Sequence, residues 1–220
     1  MIHPKLKKIV VILGLLVLAG CSKSDPTGPG NGNGNGNGNG DQPLAFIVDE
    51  AWKDYDLGDF TAARSDFDFA LSKDSTYAPA ISGRAWTNLE LGFTGLSNRQ
   101  FESALAESTD YISAFYGRAI TSHAEALNFP TVGRERLEIA VDAGTTAINL
   151  GGDSWQFERI DAINARSLRV LLASSFYALG NYSIAQEQLN VLDPNNGLDP
   201  RSPDYIRLLL LAIESQRELL

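Results

Sequence analysis

The strongest constraint on this chain is an echo at a fixed distance of 34 residues, running through residues 46–127. Trp52 recurs as Trp86, Gly58 as Gly92, Phe67 as Phe101, Ala70 as Ala104 and Leu71 as Leu105. The segment Tyr77-x-x-Ala80-x-x-Gly83-Arg84-Ala85 recurs as Tyr111-x-x-Ala114-x-x-Gly117-Arg118-Ala119. A period of this length means stacked supersecondary units, each too small to bury its own apolar face alone.

Within each unit the apolar spacing is helical. Ile47, Val48, Ala51, Trp52 and Tyr55 share one face, and Gly58-Asp59-Phe60 stops the helix. Asp59 or Thr61 can cap the next helix, whose face is Ala63, Phe67, Ala70 and Leu71. The second unit repeats this with Ile81, Ala85, Trp86 and Leu89, then Gly92, then Phe101, Ala104 and Leu105. The third opens with Ile112, Phe115, Ala119, Ile120 and His123, and then the echo loosens. After Asn128-Phe129-Pro130 a longer helix is predicted over 132–150, with Leu137, Val141 and Ile148 inward. Gly151-Gly152 stops it. A fourth pair is predicted from about Arg159, with Leu168, Leu172, Ala173, Phe176 and Tyr177 on its first face. A last helix over 204–220, carrying Leu208, Leu211 and Leu219, is expected to cover the open end of the stack.

Together these features resemble the tetratricopeptide (TPR) repeat family over residues 44–220. The resemblance is carried by the 34-residue period and by the small residue midway along each first helix: Ala51, Ala85, Ala119 and Ala173. It is also carried by the Gly-x-aromatic turns Gly58/Phe60 and Gly180/Tyr182, by Ala63/Phe67/Ala70 and Ala185, and by Leu-Asp-Pro-Asn-Asn at 192–196. It implies an all-α fold, a right-handed superhelical stack of about four antiparallel helix pairs plus a C-terminal capping helix. The alanines fit that fold sterically, because paired helices approach to about 8–10 Å only over small residues. One departure stands out. A site usually leucine in the family is Glu50, Arg84 and Arg118 here. These charges either reach past the core to water or pair with one another from repeat to repeat.

The start of the sequence carries an address. Lys5, Lys7 and Lys8 precede an apolar run over 9–19, too short to span a bilayer and suited to a secretory leader. Leu18-Ala19-Gly20-Cys21 resembles the lipobox of bacterial lipoproteins. That resemblance implies cleavage after residue 20, lipid attachment at Cys21 and, with Ser22 following, the outer membrane. Cys21 is the single cysteine of the chain, so a lipidated protein has no thiol left for a disulfide. Residues 21–43 then form a tether. Asn31-Gly32 begins a dipeptide repeated to Gly40, and 22 such residues span about 25 Å root-mean-square. Removing residues 1–20 takes away three lysines and no acid, which deepens the formal charge of −9 to −12. So acidic a chain is a poor partner for nucleic acid.

Catalytic chemistry finds little to stand on. Apart from the leader the chain has one histidine, His123, and no second thiol. Nucleophilic triads and His/Cys metal sites need more. Asp193-x-Asn195-x-Gly197-x-Asp199 has a faint calcium-loop spacing but lacks the glycine and glutamate such a loop requires. No cofactor is expected, and the chain is read as a non-enzyme.

Binding remains. In TPR proteins the first helices line a concave groove for a peptide or protein. Carried over by position, the groove residues here are Trp52, Tyr55, Asp56, Trp86, Leu89, Glu90, Tyr116, His123 and Tyr177, with Val48, Ser82, Ile120, Val170 and Ser174 beside them. Trp52 and Trp86 can equally be core knobs between helices, or be buried on one side and face the groove on the other. The expectation is a lipid-anchored scaffold that binds a protein or peptide partner in the bacterial envelope. The alternative is a carbohydrate-binding outer-membrane lipoprotein, since tryptophans and acids suit sugar faces and hydroxyls.

Overall fold

The computed structural model describes residues 42–220. The leader, Cys21 and the Asn-Gly tether fall outside that range. Among the described residues nine α-helices follow one another. They are α1 (Leu44–Leu57), α2 (Phe60–Lys73), α3 (Ala78–Glu90), α4 (Thr94–Glu107), α5 (Ile112–Asn128), α6 (Gly133–Gly151), α7 (Ala165–Ala178), α8 (Tyr182–Leu192) and α9 (Tyr205–Glu218). Four helix pairs, α1 with α2 through α7 with α8, stack on one another, and α9 lies against α7 and α8. None of the described helices is long and apolar enough to cross a membrane.

Three of the four pairs share one turn. Gly58, Gly92 and Gly180 sit at φ 82°, 86° and 82°, a left-handed conformation that favours glycine. In each, the N–H that follows the glycine bonds back to the carbonyl five residues earlier. These bonds are Asp59 to Asp54, Phe93 to Asn88 and Asn181 to Phe176, at 3.0, 2.8 and 2.8 Å. The turn thereby satisfies carbonyls that the helix end would leave open. Of the two capping candidates for α2, Asp59 is the one used, accepting from Ala62 N–H at 3.0 Å. The third pair has no such glycine. There α5 runs on for 17 residues and a 3₁₀ turn at Pro130–Val132 leads into α6.

Small residues set the spacing. Ala51, Ala85, Ala119 and Ala173 are fully buried. Successive units lock through an aromatic knob and a glycine socket. A Cβ placed on Gly83 would stand 2.2 Å from the Phe67 ring, and one on Gly117 would stand 2.2 Å from the Phe101 ring. Knob and socket both recur at the 34-residue period, so that period encodes the packing between repeats as well as within them.

One open choice is settled and two expectations change. The charges at Glu50, Arg84 and Arg118 do not pair with one another. Glu50 pairs with Lys53. Arg84 reaches Asp68 at 2.8 Å and Arg118 reaches Glu102 at 3.0 Å, both on the second helix of the preceding unit. The side chains lie along the repeat boundary with their charged ends near water. Secondly, α9 buries Leu209 and Ile213, while Leu208, Leu211 and Leu219 are exposed. Four adjacent leucines at 208–211 surround the helix, so periodicity could not choose its face. Thirdly, the fourth pair begins at Ala165, not near Arg159. Residues 152–164 form an irregular hairpin instead, with an antiparallel bridge between Gln156 and Asn164.

Candidate binding groove

The first helices α1, α3, α5 and α7 bring the expected groove residues onto one side of the stack. Trp52, Trp86 and Tyr116 are buried there, at 3%, 2% and 1% exposure. Each tryptophan is backed by the phenylalanine of its own unit. Trp52 meets Phe67 edge-on at 5.5 Å and Trp86 meets Phe101 edge-on at 5.0 Å. Such tilted ring pairs stabilise beyond the apolar area they bury.

The opposite side of these rings is covered by the hairpin 152–164, here called the strap. Phe157 packs edge-on against Trp52 at 5.6 Å and tilted against Trp86 at 6.0 Å. Trp155 lies over Tyr116 at 6.1 Å and stacks on Phe157 at 6.4 Å. The strap therefore runs across α1, α3 and α5 with an aromatic-x-aromatic run. Trp52 and Trp86 are core side chains, enclosed between Phe67, Phe101 and the rings of the strap.

The strap is held in several ways. Phe157 N–H donates to Ile163 O at 2.7 Å and Ala165 N–H donates to Trp155 O at 2.9 Å. Ile160 and Ile163 are buried in the core beneath it. Asn164 and Ser167 form a capping box at the start of α7, and Ser167 Oγ also donates to Ala162 O at 2.7 Å. At the entry, Gly151 lies so close to the Trp155 ring that a Cβ there would be 2.7 Å from it. Two ion pairs tie the outer edge: Arg159 with Asp49 on α1, and Arg169 on α7 with Asp153.

Most polar groups of the groove are satisfied within the fold. Tyr116 Oη donates to Ser167 Oγ at 2.7 Å, and burial pushes its phenol well above the usual range. Tyr55 Oη donates to Glu90 Oε1 at 3.2 Å; burial, then the carboxylate, raises its pKa. His123 is buried and its Nδ1 stands 2.8 Å from Ser175 Oγ. Because that hydroxyl donates to Leu171 O at 2.9 Å, Nδ1 is the donor. Burial, reinforced by Arg217, lowers the pKa of the ring from 6.5 to about 4, so the imidazole is neutral. Leu89 is buried, Asp56 is exposed on the rim, and Tyr177 packs on Tyr182 at 5.3 Å between α7 and α8. Of the expected groove residues, Trp52, Trp86 and Tyr116 lie against the strap, Tyr55 pairs with Glu90, His123 turns to Ser175 on α7, and Asp56 is exposed. The calcium-like loop is folded on itself: Asp193 accepts from Asn195 N–H at 3.1 Å and Asp199 from Arg201 N–H at 3.0 Å.

Sequence reasoning missed Trp155, Phe157 and Arg159. The available signal was strand-like alternation, Trp155-x-Phe157, between Gly151-Gly152 and the cap at Asn164. It lies outside the 34-residue period.

No protein-family model and no curated protein matches the sequence. Solved structures do match. One is the crystal structure of a thermophilic TPR protein of Thermus thermophilus, at TM-score 0.55 and 18% identity, covering 79% of this chain and 82% of that one. The likeness defines the class of fold: an all-α, TPR-like stack of helix pairs. The particular protein is a TPR-like helical stack with a strap of its own laid against its first helices.

Proposed function

We propose that this protein is a lipid-anchored, non-catalytic scaffold that binds a protein or peptide partner in the bacterial cell envelope. The carrying observation is the TPR-like stack itself, with a line of first helices forming a concave aromatic face. A peptide partner fits that face better than a glycan does. Trp52 and Trp86 are enclosed by other rings, so neither offers the open platform on which a sugar stacks. Lys5, Lys7, Lys8, the apolar run 9–19 and Leu18-Ala19-Gly20-Cys21 support export and lipid attachment at Cys21. Several acyl chains anchor stably where one is marginal, and the Asn-Gly tether would let the stack stand clear of the outer membrane.

Two measurements test this. Metabolic labelling with an alkyne fatty acid should mark the wild-type chain and fail on Cys21→Ala; equal labelling of both ends the anchoring proposal. A photocrosslinker at Asp56, on the open rim, should capture a specific envelope protein in cells; reproducible absence of any adduct there counts against the scaffold proposal.

A further inference from the structure

The strap is a chain segment seated in the groove as a ligand would be, and it displays what the groove accepts. Its two aromatic residues, separated by one residue, fall on Trp52 and Trp86 for Phe157, and on Tyr116 for Trp155. Its cation, two residues further on, pairs with Asp49 at the edge of α1. Three repeats thus read three consecutive alternate side chains, the way an extended peptide is read by pockets two residues apart.

The fit of this occupant is incomplete. Trp155 and Phe157 are half-buried rather than enclosed. The indole N–H of Trp86, buried in the floor, has no hydrogen-bond partner among the described residues. A buried donor left without an acceptor is costly and uncommon, and a backbone carbonyl of a different segment could satisfy it. The outer ties are ion pairs whose acids, Asp49 and Asp153, are about half or more exposed, and exposed pairs contribute little. Of the firm anchors, Ile160 sits at the tip of the hairpin and Ile163 on its returning leg. The outer leg with its two aromatics is joined to the returning leg by the Phe157–Ile163 and Ala165–Trp155 backbone bonds, and these are what a displacing segment would have to break.

We propose that the groove is a receptor for an extended segment bearing two aromatic residues two positions apart and a cation two residues further on, and that residues 152–164 are its built-in competitor. This rests on the scaffold reading above and names the partner chemistry and the regulation of the same face. A partner segment of this pattern displaces the outer leg. Because the competitor is intramolecular, its effective concentration is high, and the intact chain binds such a segment weakly until the leg is released.

The test uses the full chain in two forms, wild type and Trp155→Ser/Phe157→Ser/Arg159→Ser, and a fluorescein-labelled peptide of residues 152–164 added in trans. Anisotropy should show the peptide binding the triple variant at least about tenfold more tightly than wild type, as expected when an internal competitor is removed. The same peptide carrying Trp155→Ser and Phe157→Ser should not bind. A triple variant that keeps its helical circular dichroism yet binds the peptide no better than wild type overturns the proposal. Hydrogen exchange on the wild-type chain gives an independent reading whether or not the variant folds. The Phe157 and Ala165 amides should exchange faster than those of α3 and α5; exchange only with global unfolding makes the strap a fixed part of the core and overturns the proposal. The peptide assay reads the groove alone, so it can succeed while crosslinking finds no envelope partner, and the two failures are distinct.

Discussion

His123 shows how the environment of a single residue becomes a property of the whole chain. Its ring stays neutral in the fold, at a pKa of about 4 against an ordinary 6.5. The unfolded chain takes up a proton there first, so the contribution is complete above pH 6.5 and is lost as pH falls toward 4. The full span corresponds to about 3 kcal/mol. Urea unfolding at pH 7 and pH 5 should show a clear drop in stability, and His123→Asn should be less stable at pH 7 but flatter between the two; an unchanged slope in the variant would refute this. At this scale the sequence was informative where a residue's role is steric and repeats. Ala51, Ala85 and Ala119 and the Phe67 and Phe101 knobs all lie on the 34-residue period. It was silent where the role depends on a covering segment from elsewhere. That Trp52 and Trp86 are enclosed is decided by Phe157, a residue far along the chain in a stretch with no repeat counterpart.

At the scale of an element, α9 separates periodicity from packing. Leu208, Leu209, Leu210 and Leu211 point in four directions around one helix, and only contact with α7 and α8 selects Leu209 and Ile213 as the buried pair. Leu209→Ala should therefore cost about 2–5 kcal/mol. Leu211→Ala, at 48% exposure, should stay within about 0.5 kcal/mol. Chemical denaturation of the two variants checks this, and equal losses would mean that α9 packs by its other face. The helix pairs themselves were legible, because glycine turns and apolar spacing are local signals. The strap was not, because an irregular hairpin is defined by what it lies against. Its Trp-x-Phe alternation is too short to identify without the groove beneath it.

For the whole molecule, what matters is how the units are coupled. Each knob-and-socket contact joins one repeat to the next, so a methyl group at a socket should loosen the joint rather than melt one helix. Overpacking typically costs about 1–3 kcal/mol, which outweighs the roughly 0.5–1 kcal/mol that alanine gains over glycine in a helix. Gly83→Ala should lower the melting temperature and separate the transitions seen by far-UV circular dichroism and by tryptophan fluorescence. Phe67→Leu in the same chain should bring them back together; coincident transitions in the single variant would show that the repeats do not need this joint. The strap couples the stack in another way. Helix pairs make contacts with near neighbours, and such a chain can begin folding at any hairpin and spread. The tie between Asp49 and Arg159 spans 110 residues, and a loop of that length closes only after the segments between its ends have been ordered. Folding is therefore expected to run in order, helices and repeat joints early and the aromatic face last, so that tryptophan burial followed by stopped-flow fluorescence should lag helix formation followed by circular dichroism. Until then the chain passes through a stage at which its most adhesive surface is open.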